Sequence, residues 1–155
     1  VEWLCIKKIM LQMGFHIDFV QLIMICISTT SFSFKINGEV SGYVIPSRGI
    51  RQGDPLSPYL FLVVAEILSA LVNHATQTGH ITGLKISPNG PAFSHLLFAD
   101  DSLFFCKATV DQALSILSVL DKYHLFTGQC VNWSKSSIFF SRKTPVILQN
   151  RICAT

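Results

Sequence analysis

Charge is scarce in this sequence. Asp, Glu, Lys and Arg make up 14% of its 155 residues, against roughly 25% in an ordinary soluble domain. The formal net charge is only +3, which permits nucleic-acid binding and does little to argue for it. The five cysteines show no CxxC spacing and are odd in number, so neither a disulfide framework nor a zinc ribbon is expected; they read as reduced, mostly buried thiols of an intracellular protein. The histidines form no HxxxH pair, which removes the commonest zinc pattern. No GK[ST] follows any glycine-rich stretch, so there is no P-loop. Repeats and low-complexity tracts are also missing.

Half of the residues are hydrophobic and the mean hydropathy is +0.47, yet an uninterrupted membrane-length run is lacking. A spanning helix needs about 20 mostly apolar residues. The charge-free stretch from Phe19 to Phe34 contains Gln21, Ser28, Thr29, Thr30, Ser31 and Ser33, and Leu56–Val72 is interrupted by Ser57, Pro58 and Glu66. We therefore expect no membrane partner. The chain begins at Val1 and reads as helix at once, so the apolar excess is expected to belong to a piece of a larger protein, whose faces its neighbours would cover.

Glu2–Met13 and His16–Ser28 have the pattern of two helices parted at Gly14. Phe32, Phe34 and Ile36 then alternate with Ser33 and Lys35 and lead into Asn37-Gly38, a dipeptide that suits the positive φ angles of a type I′ turn; the return strand runs to about Ile45. The loop PSRGIRQGDPLSP carries Ser57 as a suitable N-cap and Pro58 as a suitable first helical residue. Leu60, Val64, Ile67, Leu68 and Leu71 recur on one face of the helix that follows, which is expected to end near Gly79.

A short strand over Leu84–Ser87 precedes the turn at Pro88–Pro91, and His95–Ala99 and Ser102–Cys106 read as two strands. Thr109 with Gln112 makes a capping box for a helix with Ala113, Leu114, Leu117 and Leu120 on one face, closing at Gly128. A last strand pair is expected near Val131–Trp133 and Ile138–Phe140, flanking Lys135. The order predicts an α+β domain, an antiparallel sheet with helices packed on one face.

The chemistry centres on HLLFADDSLFF, where Asp100 and Asp101 are adjacent between apolar runs. The plainer account is a hairpin turn, which Asp suits. The sharper one notes that two adjacent anions repel and that apolar flanks heighten the repulsion, which a bound cation relieves. Carboxylate oxygens suit Mg²⁺, which keeps waters and takes the rest of its shell from phosphates. The RGIRQGDPLSP loop is in the plainer account a Gly/Pro connector. In the functional one, Gly49 and Gly53 let the backbone approach a nucleic acid, Arg51 pairs with phosphate, and Gln52 hydrogen-bonds a nucleotide.

RGIRQGDPLSPYLF and HLLFADDSLFF, with VEWLCIKKIM, FSFKINGEVSGY and TGQCVNWSKSSIFFS in the expected order, resemble the reverse transcriptase of LINE-type (non-LTR) retrotransposons, above all those of plants. The resemblance covers nearly everything before Arg142, so 1–141 is expected to be a partial reverse transcriptase domain, a fragment of the polymerase palm, and 142–155 an unassigned tail. It implies an RNA-directed DNA polymerase working by two-metal nucleotidyl transfer with Mg²⁺ or Mn²⁺ as cofactor. Asp100 and Asp101 then correspond to two of three catalytic, metal-holding carboxylates, and Lys135 to a lysine near the triphosphate. Arg48, Gly49, Arg51, Gln52 and Gly53 correspond to the template- and nucleotide-binding loop.

The implied partners are an RNA template, a DNA primer, deoxynucleotide triphosphates and the other parts of the same polyprotein. The implied location is the nucleus, with an organelle left open. In the family the VEW segment follows a strand bearing the first catalytic Asp, which falls before Val1, and fingers and thumb are also outside these residues. Two alternatives to an active polymerase follow. One is a truncated, non-catalytic remnant with at most residual nucleic-acid binding, poorly folded in isolation; the other is a binding module without chemistry that uses Arg48, Arg51 and Lys135.

Overall fold

The computed structural model describes residues 1–155. Five α-helices and six short strands follow in the order α1 (Trp3–Gln12), α2 (Ile17–Ser28), β1 (Phe32–Ile36), β2 (Glu39–Val44), α3 (Ser57–Gln77), β3 (Leu84–Lys85), β4 (Ala92–Phe93), β5 (His95–Phe98), β6 (Asp101–Phe104), α4 (Val110–Thr127) and α5 (Val146–Cys153). This is the α+β class, with every strand pair antiparallel. The pairs β1–β2, β3–β4 and β5–β6 are three separate two-stranded ribbons rather than one continuous sheet.

The chain divides into two compact units, residues 1–66 with 126–128, and residues 67–125 with 129–155. In the first, α1 buries Cys5, Ile6 and Met10, and α2 buries Val20 and Ile23. Phe15 stacks on Phe19 with ring centroids 5.8 Å apart. The β1–β2 ribbon turns at Asn37 (φ 52°) and Gly38 (φ 95°), the pair of positive φ angles that a type I′ turn requires. Cys5 is buried, and burial pushes its thiol above the ordinary 9.0, with the N-terminal amine and Lys8 opposing. The other four cysteines are exposed and all five are free, so the expectation of mostly buried thiols holds for Cys5 alone.

The second unit has its own core, formed by Leu68, Val72 and Ala75 of α3 with Ile81 and Val119. Leu97 and Phe104 of the β5–β6 ribbon and Ile116, Leu120 and Tyr123 of α4 pack against it. The inward face of α4 therefore runs through Ile116, Val119, Leu120 and Tyr123, whereas Leu114, expected inside, is exposed. At the start of α4 the Gln112 N–H donates to Thr109 Oγ1 at 3.3 Å. The Gln112 side chain does not return to the cap. Its Oε1 accepts from the N–H groups of Thr82 and Lys107, and its amide donates to Thr82 Oγ1. Half of the expected capping box forms, and the other half is spent tying two loops to the helix.

Two other expectations change. Ser57 and Pro58 do not interrupt the apolar run; they open α3, which continues through Glu66 for 21 residues. It is the one helix long and apolar enough to cross a membrane by length and composition. It also places Leu68, Val72 and Ala75 in a packed core, and the core helix of a globular domain passes the same test. The expected strands around Lys135 are absent. Trp133–Lys135 form a single 3₁₀ turn. The Asn132 carbonyl accepts from the Lys135 N–H and from Ser136 Oγ, and its side-chain oxygen accepts from Ser134 Oγ. Local Asn/Ser hydrogen bonding has overridden the β propensity of the neighbouring apolar residues. Within 142–155, α5 buries Ile152.

Candidate functional site

Asp100 and Asp101 lie at the tip of the β5–β6 ribbon. Cross-strand partners are His95 with Phe104, Leu96 with Leu103, Leu97 with Ser102, and Phe98 with Asp101. Ala99 and Asp100 thus form a two-residue turn, and Asp101 is the first residue of β6. Ala99 has φ 50°, a conformation that a residue with a Cβ adopts only at a cost. Because residues paired across a ladder share a face, Leu97 and Phe104 look into the core while Leu96, Phe98, Leu103 and Asp101 share the other side. That side is uncovered: Phe98 is 83% exposed and Leu103 57%. Only one face of the apolar flank is core.

Both carboxylates are themselves exposed. Water can therefore carry much of the repulsion that the sequence pattern assigned to a cation. Neither carboxylate is ion-paired; Arg48–Glu2 is an ion pair at 3.4 Å, and His16 lies 3.4 Å from Asp18, an ion pair only when the ring is protonated. No group of three or more His, Cys, Asp or Glu residues is arranged to hold a metal. The donor set, two adjacent hard carboxylates open to solvent, fits an ion such as Mg²⁺ that takes one or two carboxylates and fills its shell with water and phosphate. It does not make an all-protein cage. Lys135, in the same unit, is exposed at the end of the 3₁₀ turn and has no carboxylate partner.

The base of the ribbon is held by His95. Its Nε2 lies 3.0 Å from Ser69 Oγ on α3, and its Nδ1 lies 3.0 Å from Ser94 Oγ. A hydroxyl can donate or accept, so this pair of contacts tolerates either tautomer of the ring.

The other candidate residues lie in the first unit. Arg48, Gly49 and Arg51 line one shallow cleft of about 80 Å³, together with Trp3, Phe32 and Asp54 among others. Enclosed small-molecule sites run to about 300 Å³ and more, so the cleft is a foothold and not a chamber. Gln52 and Gly53, the remaining loop candidates, are exposed and do not line it.

The loop is shaped by local hydrogen bonds. Asp54 Oδ1 accepts from the Leu56 N–H at 2.8 Å, and the Arg51 carbonyl accepts from the Asp54 N–H at 3.4 Å and from the Ser57 hydroxyl. Ser57 is thus the first helical residue, with its hydroxyl turned back to Arg51; it is not the N-cap. The Arg51 guanidinium lies 5.8 Å from the Phe32 ring centroid, a cation–π distance. Sequence reasoning missed Glu2 and Trp3. The Trp3 indole N–H donates to the Gly49 carbonyl across 46 positions, and no local signal announces a contact of that separation.

Residues 6–148 match the family described as reverse transcriptase (RNA-dependent DNA polymerase). The chain is also similar to an uncharacterized mitochondrial protein of Arabidopsis thaliana, with 42% identity over 113 residues, covering 72% of this chain and 91% of that protein.

Proposed function

The chain belongs to the reverse transcriptase (RNA-dependent DNA polymerase) family, and from that premise we propose that it carries the palm portion of a LINE-type, non-LTR enzyme. We read 1–141 as the partial domain and 142–155 as a tail. The observation that supports this most is the hairpin tip, two adjacent exposed carboxylates on a two-residue turn whose other face is anchored in a core.

In this reading Asp100 and Asp101 hold Mg²⁺ or Mn²⁺. Such ions, when bound, would supply Lewis-acid stabilisation of phosphate oxygens. Arg48 and Arg51 pair with phosphates of the RNA template, the DNA primer or the incoming deoxynucleotide. Gln52 hydrogen-bonds the nucleotide, and Gly49 and Gly53 keep the backbone open to it. Lys135 faces the triphosphate and the departing pyrophosphate. The nucleus is the location that the resemblance implies, and the mitochondrial plant relative makes that organelle the alternative.

A specific observation favours a non-catalytic version of the same reading. Two carboxylates leave a two-ion centre short of donors, and no third His, Cys, Asp or Glu completes the group. The polypeptide of these 155 residues is therefore expected to bind template–primer without extending it. In a gel shift on an RNA–DNA template–primer, binding should weaken steeply with salt and weaken further in Arg51→Ala. Primer extension with Mn²⁺ should give no product. Extension that disappears on Asp100→Ala would show that these residues suffice for catalysis. Absence of any shift at low salt would remove the nucleic-acid reading itself.

A further inference from the structure

Gly49 sits in the middle of the basic loop and is gripped from both sides by the start of the chain. Its N–H donates to the Val1 carbonyl at 2.7 Å, and its carbonyl accepts from the Trp3 indole N–H at 2.6 Å. The neighbouring Arg48 guanidinium reaches Glu2 Oε1 at 3.4 Å. The Val1–Trp3 segment is itself well mounted. Trp3 is the first residue of α1, the Glu2 carbonyl accepts from the N–H groups of Cys5 and Ile6, and the Glu2 N–H donates to the Thr127 carbonyl at 2.9 Å.

Nothing else crowds Gly49 into place. It has φ +88°, and a Cβ built there would meet no atom within 4 Å. Two positions on, the Arg51 carbonyl is held by the Ser57 hydroxyl. Ile50 alone lies between these two anchors, so the backbone direction at Arg51 is set from both ends. The Arg51 guanidinium, exposed and without a carboxylate partner, is then presented from a fixed base.

We propose that Trp3 is a positioning residue of the nucleic-acid-binding loop: its indole N–H, acting with the Val1 carbonyl, fixes the Gly49 peptide and thereby the direction in which Arg51 meets phosphate. This rests on the reading of the loop given above. The ion pair between Arg48 and Glu2 is too exposed to do the same work. The indole bond is partly buried and spans 46 positions, so its loss loosens one side of the grip on Gly49 without removing any charge.

The test is Trp3→Phe, which keeps an aromatic wall and deletes the donor. It is compared with wild type and Arg51→Ala for binding of a labelled RNA–DNA template–primer over a range of salt. Trp3→Phe is expected to raise Kd roughly three- to tenfold, the scale of one partly buried hydrogen bond, with an unchanged slope of log K against log salt; Arg51→Ala is expected to lower that slope. Trypsin cleavage after Arg48 and Arg51 should accelerate in Trp3→Phe, while cleavage after Lys107 stays constant. Binding and loop cleavage both unchanged in Trp3→Phe, with Arg51→Ala impaired, would overturn the proposal and leave the loop's role intact. No binding by wild type, or no effect of Arg51→Ala, would overturn the loop's role and the proposal with it. Hydrogen exchange of the Gly49 amide in the unaltered chain needs no variant: protection is expected, and exchange at the rate of a free amide would overturn the clasp.

Discussion

Ala99 shows how much a single residue can say about this chain. It turns a two-residue hairpin with φ 50°, next to the carboxylates on which the polymerase reading depends. A left-handed conformation costs a residue with a Cβ about 1–2 kcal/mol. Strain of that kind persists where the surroundings over-determine it, and it collects at functional sites. Ala99→Gly is expected to raise stability by about 1 kcal/mol, less some of the extra entropy of the unfolded glycine chain. Thermal unfolding of the two forms checks this, and a lower midpoint in the glycine form would contradict the strain. The Asp100-Asp101 pair and the loop residues Arg48 to Gly53 stood out in the sequence by type and spacing. The departures were equally local: Ser57 is the first residue of α3 and its hydroxyl donates back to the Arg51 carbonyl.

At the scale of elements, the apolar periodicity of α3 was legible, but its centre was shifted. Leu60, Val64 and Leu68 are buried as the spacing implies, and the stripe continues through Val72 and Ala75 while Ile67 and Leu71 are only half-buried. Leu68→Ala is expected to destabilise the chain by about 2–5 kcal/mol, as buried Leu truncations do. Leu62→Ala, at a position 64% exposed, should stay within about 0.5 kcal/mol. Chemical denaturation of both variants separates them, and equal losses would mean that the exposed side of α3 is covered in solution. The β5–β6 ribbon carries the same lesson. Richness in Leu and Phe identified two strands, yet both faces carry apolar residues, and the pattern alone could not tell which of Leu97 or Phe98 turns inward. The strands expected around Lys135 failed for a related reason: segments of three residues have no period long enough to outweigh the hydrogen bonds of Asn132, Ser134 and Ser136.

For the whole molecule, the excess of apolar residues noted in the composition becomes exposed surface. Phe139 is 90% exposed, and Phe34, Tyr43, Leu96, Phe98 and Leu125 are all exposed as well. Three two-stranded ribbons also leave strand edges unpaired. The purified 155-residue polypeptide is accordingly expected to bind a hydrophobic dye strongly and to self-associate at concentrations on the order of 10 μM. Light scattering and dye fluorescence check this. Phe98→Thr should lessen both with little loss of stability, since that side chain contributes almost nothing to the core. A monodisperse, dye-silent monomer would show that these faces are less available than their exposure indicates.

The sequence by itself determined the class of the fold, four of its five helices and most of its strands, and it nominated the residues of the candidate site, because periodicity, turn chemistry and motif spacing are local properties carried by a few neighbouring side chains. Tertiary structure alone decided which face of each element is covered, that the strands pair as separate ribbons, and that Trp3 and Val1 hold Gly49 from 46 and more positions away. Those outcomes depend on which distant segments meet, and a hydrogen bond between such segments leaves no mark on the residues beside either end.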